Sequence, residues 1–160
     1  MPNLAIPDLL DFLKNKDYDA QIQKETDQIY IILKISEREF PLFIRIMGEG
    51  GLVQLMVFFP CNIKAEAVSD LARLLHTLNK ELDIPGFGMD EKAGVAFYRC
   101  MIPTIDNQFN ESVLEGFLNS VKIVCETFSP AVEAVAFGAT TFDELLKKAE
   151  EQAQKQSQPS

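Results

Sequence analysis

The chain has 160 residues, 24 acidic against 15 basic side chains, a formal net charge of −9, and 47% hydrophobic residues. That size fits one domain with or without a tail, and the apolar fraction supports an ordinary core while excluding a chain disordered throughout. The excess of acid opposes phosphate backbones and anionic membrane surfaces, which are met by clustered Lys and Arg, so nucleic acid is not expected as a partner.

The opening segment MPNLAIPDLLDFLKNK lacks a basic region followed by a long apolar one. No run of about 18 apolar residues occurs anywhere, so a cytoplasmic protein without membrane insertion is expected. Pro7 suits a first helical turn, and Leu9, Leu10, Phe12 and Leu13 form an apolar stripe, which predicts a short helix over 7–15. From Tyr18 the period becomes two. Tyr18, Ala20 and Ile22 alternate with polar residues, then Ile29, Ile31, Leu33 and Ile35, then Phe40, Leu42, Ile44 and Ile46, and Gly48–Gly51 lead into an apolar run over 52–59. Short polar or Gly-rich links between such runs predict an antiparallel meander.

After Pro60, with Asn62 as the expected cap, Val68, Leu71, Leu74, Leu75, Leu78 and Leu82 recur at helical steps and predict a helix over 65–82. Strands at 87–90 and 95–102 flank a turn at 91–94. Asn110 then caps a helix over 110–128, stapled by Phe109 and Leu114, and Ser129-Pro130 starts a separate helical piece ending at Gly138. Thr141-Phe142-Asp143-Glu144 has capping-box spacing and opens a last helix. The expected architecture is α+β, an antiparallel sheet with helices packed on one face, in the order α-β-β-β-(β)-α-β-β-α-α. A single domain over 1–138 is followed by a C-terminal helix over 139–153 and a polar tail, 154–160, expected to be disordered.

Chemistry is sparse. His76 is the one His, so no His-based metal set exists, and beside Arg73 and Lys80 it reads as a solvated side chain. The Gly-rich pieces at 48–51 and 86–88 lack the marks of phosphate or dinucleotide loops and read as turns. Cys61, Cys100 and Cys125 match neither a zinc knuckle nor a disulfide framework and sit in apolar runs that raise thiol pKa values. No cofactor and no catalytic residue are assigned.

The sheet is unusually apolar. In 52–59, Leu52, Met56 and Phe58 lie on one face and Val53, Leu55, Val57 and Phe59 on the other, and Phe43 and Met47 oppose Leu42, Ile44 and Ile46. Helices 65–82 and 110–128 cover one face. Either the terminal helices wrap the second and leave a plain monomer, or that face receives a partner, a second copy or an extended peptide.

The element order, the acidic composition and the stretch LLHTLNKELDIPGFGMDEKAGVAFYRCMIP resemble the type III secretion chaperone-like superfamily, which includes the YbjN family; Leu78, Asn79, Leu82, Gly86, Phe87, Asp90, Glu91, Gly94, Phe97 and Tyr98 carry the likeness. By element order it spans about residues 5–137. The resemblance implies a cytoplasmic, homodimeric, non-enzymatic chaperone that binds a segment of a secreted effector and keeps it export-competent. The client surface expected on this reading comprises Phe43, Val53, Leu55, Val57 and Phe59, and the dimer seam Arg73, His76, Thr77 and Phe97. Two other readings stay open: a YbjN-like regulatory or stress protein that binds folded partners without export, and a small enzyme using one of the three thiols. Acidic residues around the sheet are expected to favour a client with a basic or amphipathic segment.

Overall fold

The computed structural model describes residues 1–157. The period-two runs form one six-stranded antiparallel sheet in the order β1-β2-β3-β4-β6-β5. The strands are β1 (Ala20–Gln23), β2 (Gln28–Ile35), β3 (Arg38–Met47), β4 (Leu52–Phe58), β5 (Phe87–Asp90) and β6 (Val95–Pro103). The helices are α1 (Ile6–Asn15), α2 (Val68–Glu81), α3 (Glu111–Ala136) and α4 (Phe142–Ser157). The expected α+β class, the meander and the helices on one face are all present. The one crossover among the described residues, from β4 to β5 past β6, is made by α2, inserted between the β3-β4 and β5-β6 hairpins.

The core lies between the sheet and the helical layer. Ile29, Ile31, Leu42, Ile44, Leu55 and Val57 from the strands meet Leu9, Leu13, Leu71, Leu118, Val121 and Val132 from the helices, each 0–1% exposed. Both terminal helices sit in this same layer: α1 packs Phe12 edge-on against Phe109 at 5.8 Å, and α4 lays Phe142 under Arg73 of α2 at 4.4 Å. Neither wraps the opposite face of the sheet, so the plain-monomer cover considered above is absent.

Three local expectations change. The helix expected to end near Phe128 runs unbroken through Pro130 to Ala136. Proline removes one N–H and crowds the preceding turn, but Val132, Val135 and Ala136 beyond it are fully buried and Glu133 grips Arg38, so tertiary contacts hold the second half in line. Asn62 caps nothing; a short 3-10 turn at Ala65–Ala67 intervenes, and α2 starts with no side-chain cap. The last helix continues past 153 to Ser157, and residues 158–160 of the expected tail lie outside the described residues.

The other caps form as read. Val113 N–H donates to Asn110 Oδ1 at 3.0 Å. In the box at α4, Glu144 N–H donates to Thr141 Oγ1 at 3.2 Å and Thr141 N–H to Glu144 Oε2 at 3.3 Å. The hydrogen bonds hold the Glu144 carboxyl below its ordinary value, that from Thr140 foremost.

Candidate functional site: the uncovered face of the sheet

Strand alternation divides the apolar residues between two very different environments. On β3 and β4 the covered set is Phe40, Leu42, Ile44, Val53, Leu55 and Val57, all buried. The opposite set carries no helix among the described residues. Tyr30, Phe43, Met56, Phe58 and Phe97 are half-buried there, and Arg45 and Arg99 are exposed.

These residues are aligned by register. Gln21, Tyr30, Phe43, Met56 and Arg99 occupy paired positions in one row across five strands. A second row pairs Phe58, Phe97 and Gly88, and a third pairs Arg45, Gln54 and Met101. The rings form a continuous ladder, Tyr30 to Phe43 at 6.4 Å, Phe43 to Phe58 at 5.8 Å and Phe58 to Phe97 at 6.2 Å. The last two contacts are edge-to-face, which holds the rings at fixed tilts rather than as a loose film. Arg99 lies over Phe97 at 5.9 Å and extends the ladder with a cation, while Tyr30 donates its hydroxyl hydrogen to Gln21 Oε1 at 2.7 Å. A depression of about 290 Å³ lies between Phe43, Arg45, Gln54, Met56 and Phe58.

The local motif in the middle of the chain explains how the edge of this face is built. Asn79 at the end of α2 donates through Nδ2 to the Phe87 carbonyl at 2.9 Å and accepts at Oδ1 from the Gly86 and Phe87 N–H groups at 3.1 and 2.8 Å. Tyr98 donates its hydroxyl hydrogen to the Ile84 carbonyl at 2.7 Å. Gly86 must be glycine, because a Cβ there would sit 2.1 Å from the Arg99 carbonyl oxygen. At Gly88 a Cβ would meet the Phe97 ring at 2.7 Å, so the ring of Phe97 lies directly over bare backbone. The Asn-to-Gly-Phe spacing is a clamp that seats β5 beside β6.

The sequence-expected client residues fall on both faces. Phe43 is on the uncovered face, but Val53, Leu55, Val57 and Phe59 are 0–2% exposed, in the core on the covered face. The helices chose the Val53 face, leaving the Met56 and Phe58 face open. The residues of this face left out of the expected client surface are Tyr30, Met56, Phe58 and Arg99, together with Phe97, expected at the dimer seam instead. A signal for them was present: Arg45, Gln54 and Arg99 are the polar residues within the apolar runs of β3 (from Phe40 on), β4 and β6, and all three belong to the same face.

The expected dimer seam is not assembled either. Arg73, His76 and Thr77 lie on α2, in the helical layer, while Phe97 alternates with core Tyr98 and points to the opposite side of the sheet. Arg73 is already engaged within the chain by Asp143 at 3.3 Å and by the Phe142 ring.

The thiols have the wrong character for nucleophiles. Burial pushes Cys125 up to about 12 and, with the nearby Glu133 carboxylate adding to it, Cys61 up to about 11; burial also raises Cys100. A catalytic thiol needs a shift in the other direction. Glu133 itself is held by a two-pronged hydrogen bond from Arg38, 2.8 and 2.6 Å, and Arg38 Nη2 also donates to the Pro60 carbonyl at 2.9 Å. That cluster ties α3 to the start of β3. A second concavity, about 320 Å³, lies at the end of the sheet among Val53, Ile102, Ile105, Phe109 and Val113, with no charged side chain in its lining. No helix among the described residues is long and apolar enough to cross a membrane.

Comparison with known proteins agrees with this architecture. The family model YbjN, "Putative bacterial sensory transduction regulator", matches residues 8–134. No curated protein matches the chain. Among solved structures, a chain of the ExsC-ExsE complex is similar with a TM-score of 0.56 at 15% identity, over 78% of this chain and 90% of that one. The crystal structure of YbjN from E. coli is similar with a TM-score of 0.57 at 10% identity, over 86% of this chain and 91% of that one.

Proposed function

This chain belongs to the YbjN family, and from that premise we propose that it is a non-enzymatic, chaperone-like module that binds another protein through the uncovered face of its sheet. The observation that carries the reading is the ring ladder from Tyr30 to Phe97, four half-buried aromatics in van der Waals register with no helix among the described residues over them. An apolar face of that extent gains from being covered, at roughly 25 cal/mol for each Å² of apolar surface removed from water. The fold shared with a chain of a two-protein complex supports a binding role.

In its fuller form the proposal places the protein in the cytoplasm as a homodimer that holds a segment of a secreted effector in an export-competent state. A second reading is favoured by the family's description as a regulator: the partner is a folded protein whose activity is restrained by docking, with no export step. The two are separated by deleting the partner's N-terminal segment, which abolishes binding in the first and leaves it intact in the second.

The test is co-purification from the native cytosol with wild type and the double variant Phe43→Ser/Phe58→Ser side by side, with mass by light scattering. The proposal expects a partner enriched with wild type and lost with the variant while the fold is retained. Identical partner profiles, or none with either protein, contradict it.

A further inference from the structure

We propose that the uncovered sheet face selects an acidic amphipathic segment of the partner, one in which carboxylates are spaced among apolar side chains. This rests on the reading that the face is the partner surface, and adds to it the chemistry of what docks there.

Charge distribution carries the inference. The protein is strongly acidic as a whole, at −9. Yet from Phe40 through Met47, and throughout β4 and β6, the charged residues are Arg45 and Arg99 alone, and alternation puts both on the uncovered face. Neither takes part in an ion pair among the described residues, whereas Lys16, Arg38, Arg73 and Lys80 all do. Carboxylates on this face come only at its margins, Glu39 paired across from Lys34 and Asp90 at a hairpin turn. Acid is everywhere except where the rings are exposed, and the two free guanidiniums stand among those rings. Of the basic or amphipathic segment expected from acidic residues around the sheet, the proposal keeps the amphipathic character and takes the opposite charge, because of where the charges fall.

The arrangement also sets a spacing. Arg45 and Arg99 stand two strands apart and two residues apart along the strands, a separation of roughly 12 Å at standard sheet spacings. Carboxylates four residues apart in an extended segment span about 13–14 Å. Such a segment reaches both guanidiniums with its i and i+4 carboxylates, while apolar side chains at the other positions of the same face, such as i+2, lie on Phe43, Met56 and Phe58. Charge-assisted hydrogen bonds to guanidinium strengthen as the rings exclude water around them. A ladder of rings with arginines also stacks single-stranded bases, but a net charge of −9 works against drawing in a phosphate chain.

The test is fluorescence anisotropy of the full chain with a short labelled peptide in which every second residue is Gln and the positions between carry Glu and Phe or Leu in turn, so that Glu recurs every four residues on the same face as the apolar side chains, against its counterpart with Lys at each Glu. The Glu peptide is expected to bind about fivefold tighter, with its advantage fading at high salt. Arg45→Glu/Arg99→Glu reverses the preference, and the milder Arg45→Gln/Arg99→Gln abolishes it with circular dichroism unchanged. Phe43→Ser/Phe58→Ser weakens both peptides. Equal binding, or tighter binding of the Lys peptide, overturns the acidic assignment while leaving the face as the partner surface. Binding of neither peptide overturns both. Binding of labelled oligouridine in place of the Glu peptide overturns the assignment in favour of nucleic acid, and a wild-type dimer whose dissociation is caused by the Phe variants overturns it in favour of a second copy.

Discussion

The two faces of one sheet are nearly equal in apolar content and opposite in fate. On β4, Leu55 and Val57 are sealed beneath helices, while Met56 and Phe58, their chain neighbours, lie half-open. What separates the faces is their polar residues: Arg45, Gln54 and Arg99 mark one, and the other has none at the corresponding core positions. A helical layer tolerates no unpaired guanidinium beneath it, so two arginines are enough to decide which side α1, α2 and α3 cover. The lesson is that a strand apolar on both sides is read by its rare polar residue.

The comparison is broken most forcefully from the covered side. Leu55→Ala leaves a cavity under α3 and is expected to cost about 3 kcal/mol, read as a fall in the urea midpoint. Met56→Ala, one residue away, costs under about 1 kcal/mol because its side is open to solvent. Similar losses at the two positions would deny the asymmetry.

Gly86→Ala probes the edge where the faces meet. Its Cβ would displace the Arg99 carbonyl, and unseating β5 is expected to cost about 2–3 kcal/mol, visible as accelerated amide exchange at Phe87–Asp90. Arg38→Ala strips the nearly buried Glu133 of its partner and is expected to cost about 2 kcal/mol, moderated by the exposure of Arg38 itself; Arg38→Lys, which loses the fork, recovers only part of it. On the open face, Phe43→Ala removes cross-strand ring contacts worth about 1 kcal/mol, with its larger effect on partner binding.

The smallest effect near neutrality concerns the thiols. Each has an ordinary value of 9.0 that the fold raises, so the unfolded chain ionises first as pH climbs. Their contribution to stability is whole below pH 9 and declines as pH rises from there through the raised values, about 11 for Cys61 and about 12 for Cys125. Alkylation by iodoacetamide at pH 7 is expected to be slow at all three; one fast thiol would revive an enzymatic reading.

Much of the fold was legible because its signals are local. Period-two runs located β2, β3 and β4, and Asn110 and Thr141 capped as their spacing requires, whereas Asn79, Gly86 and Phe87 stood out only as carriers of a family likeness, and their clamp between α2 and β5 shows only in the fold. Pro130 misled because what holds α3 together beyond it is tertiary: Val132 and Val135 are fully buried, and Glu133 grips Arg38, 95 positions away in sequence. The site was half-legible. Alternation showed that two apolar faces existed, and Arg45, Gln54 and Arg99 each marked one side of their own strand; register then brings the three marked sides together as one face. Grouping Phe43 with Val53, Leu55, Val57 and Phe59 mixed the two faces.

The most direct test places a photo-crosslinker on each layer. Phe43→benzoylphenylalanine puts it on the open sheet face, and Ile123→benzoylphenylalanine puts it on the outer side of α3, where Ile123 is 62% exposed. After irradiation in the native cytosol, the account predicts a discrete crosslinked partner from position 43 and none from position 123. A partner captured from position 123 alone, or equally from both, would contradict it.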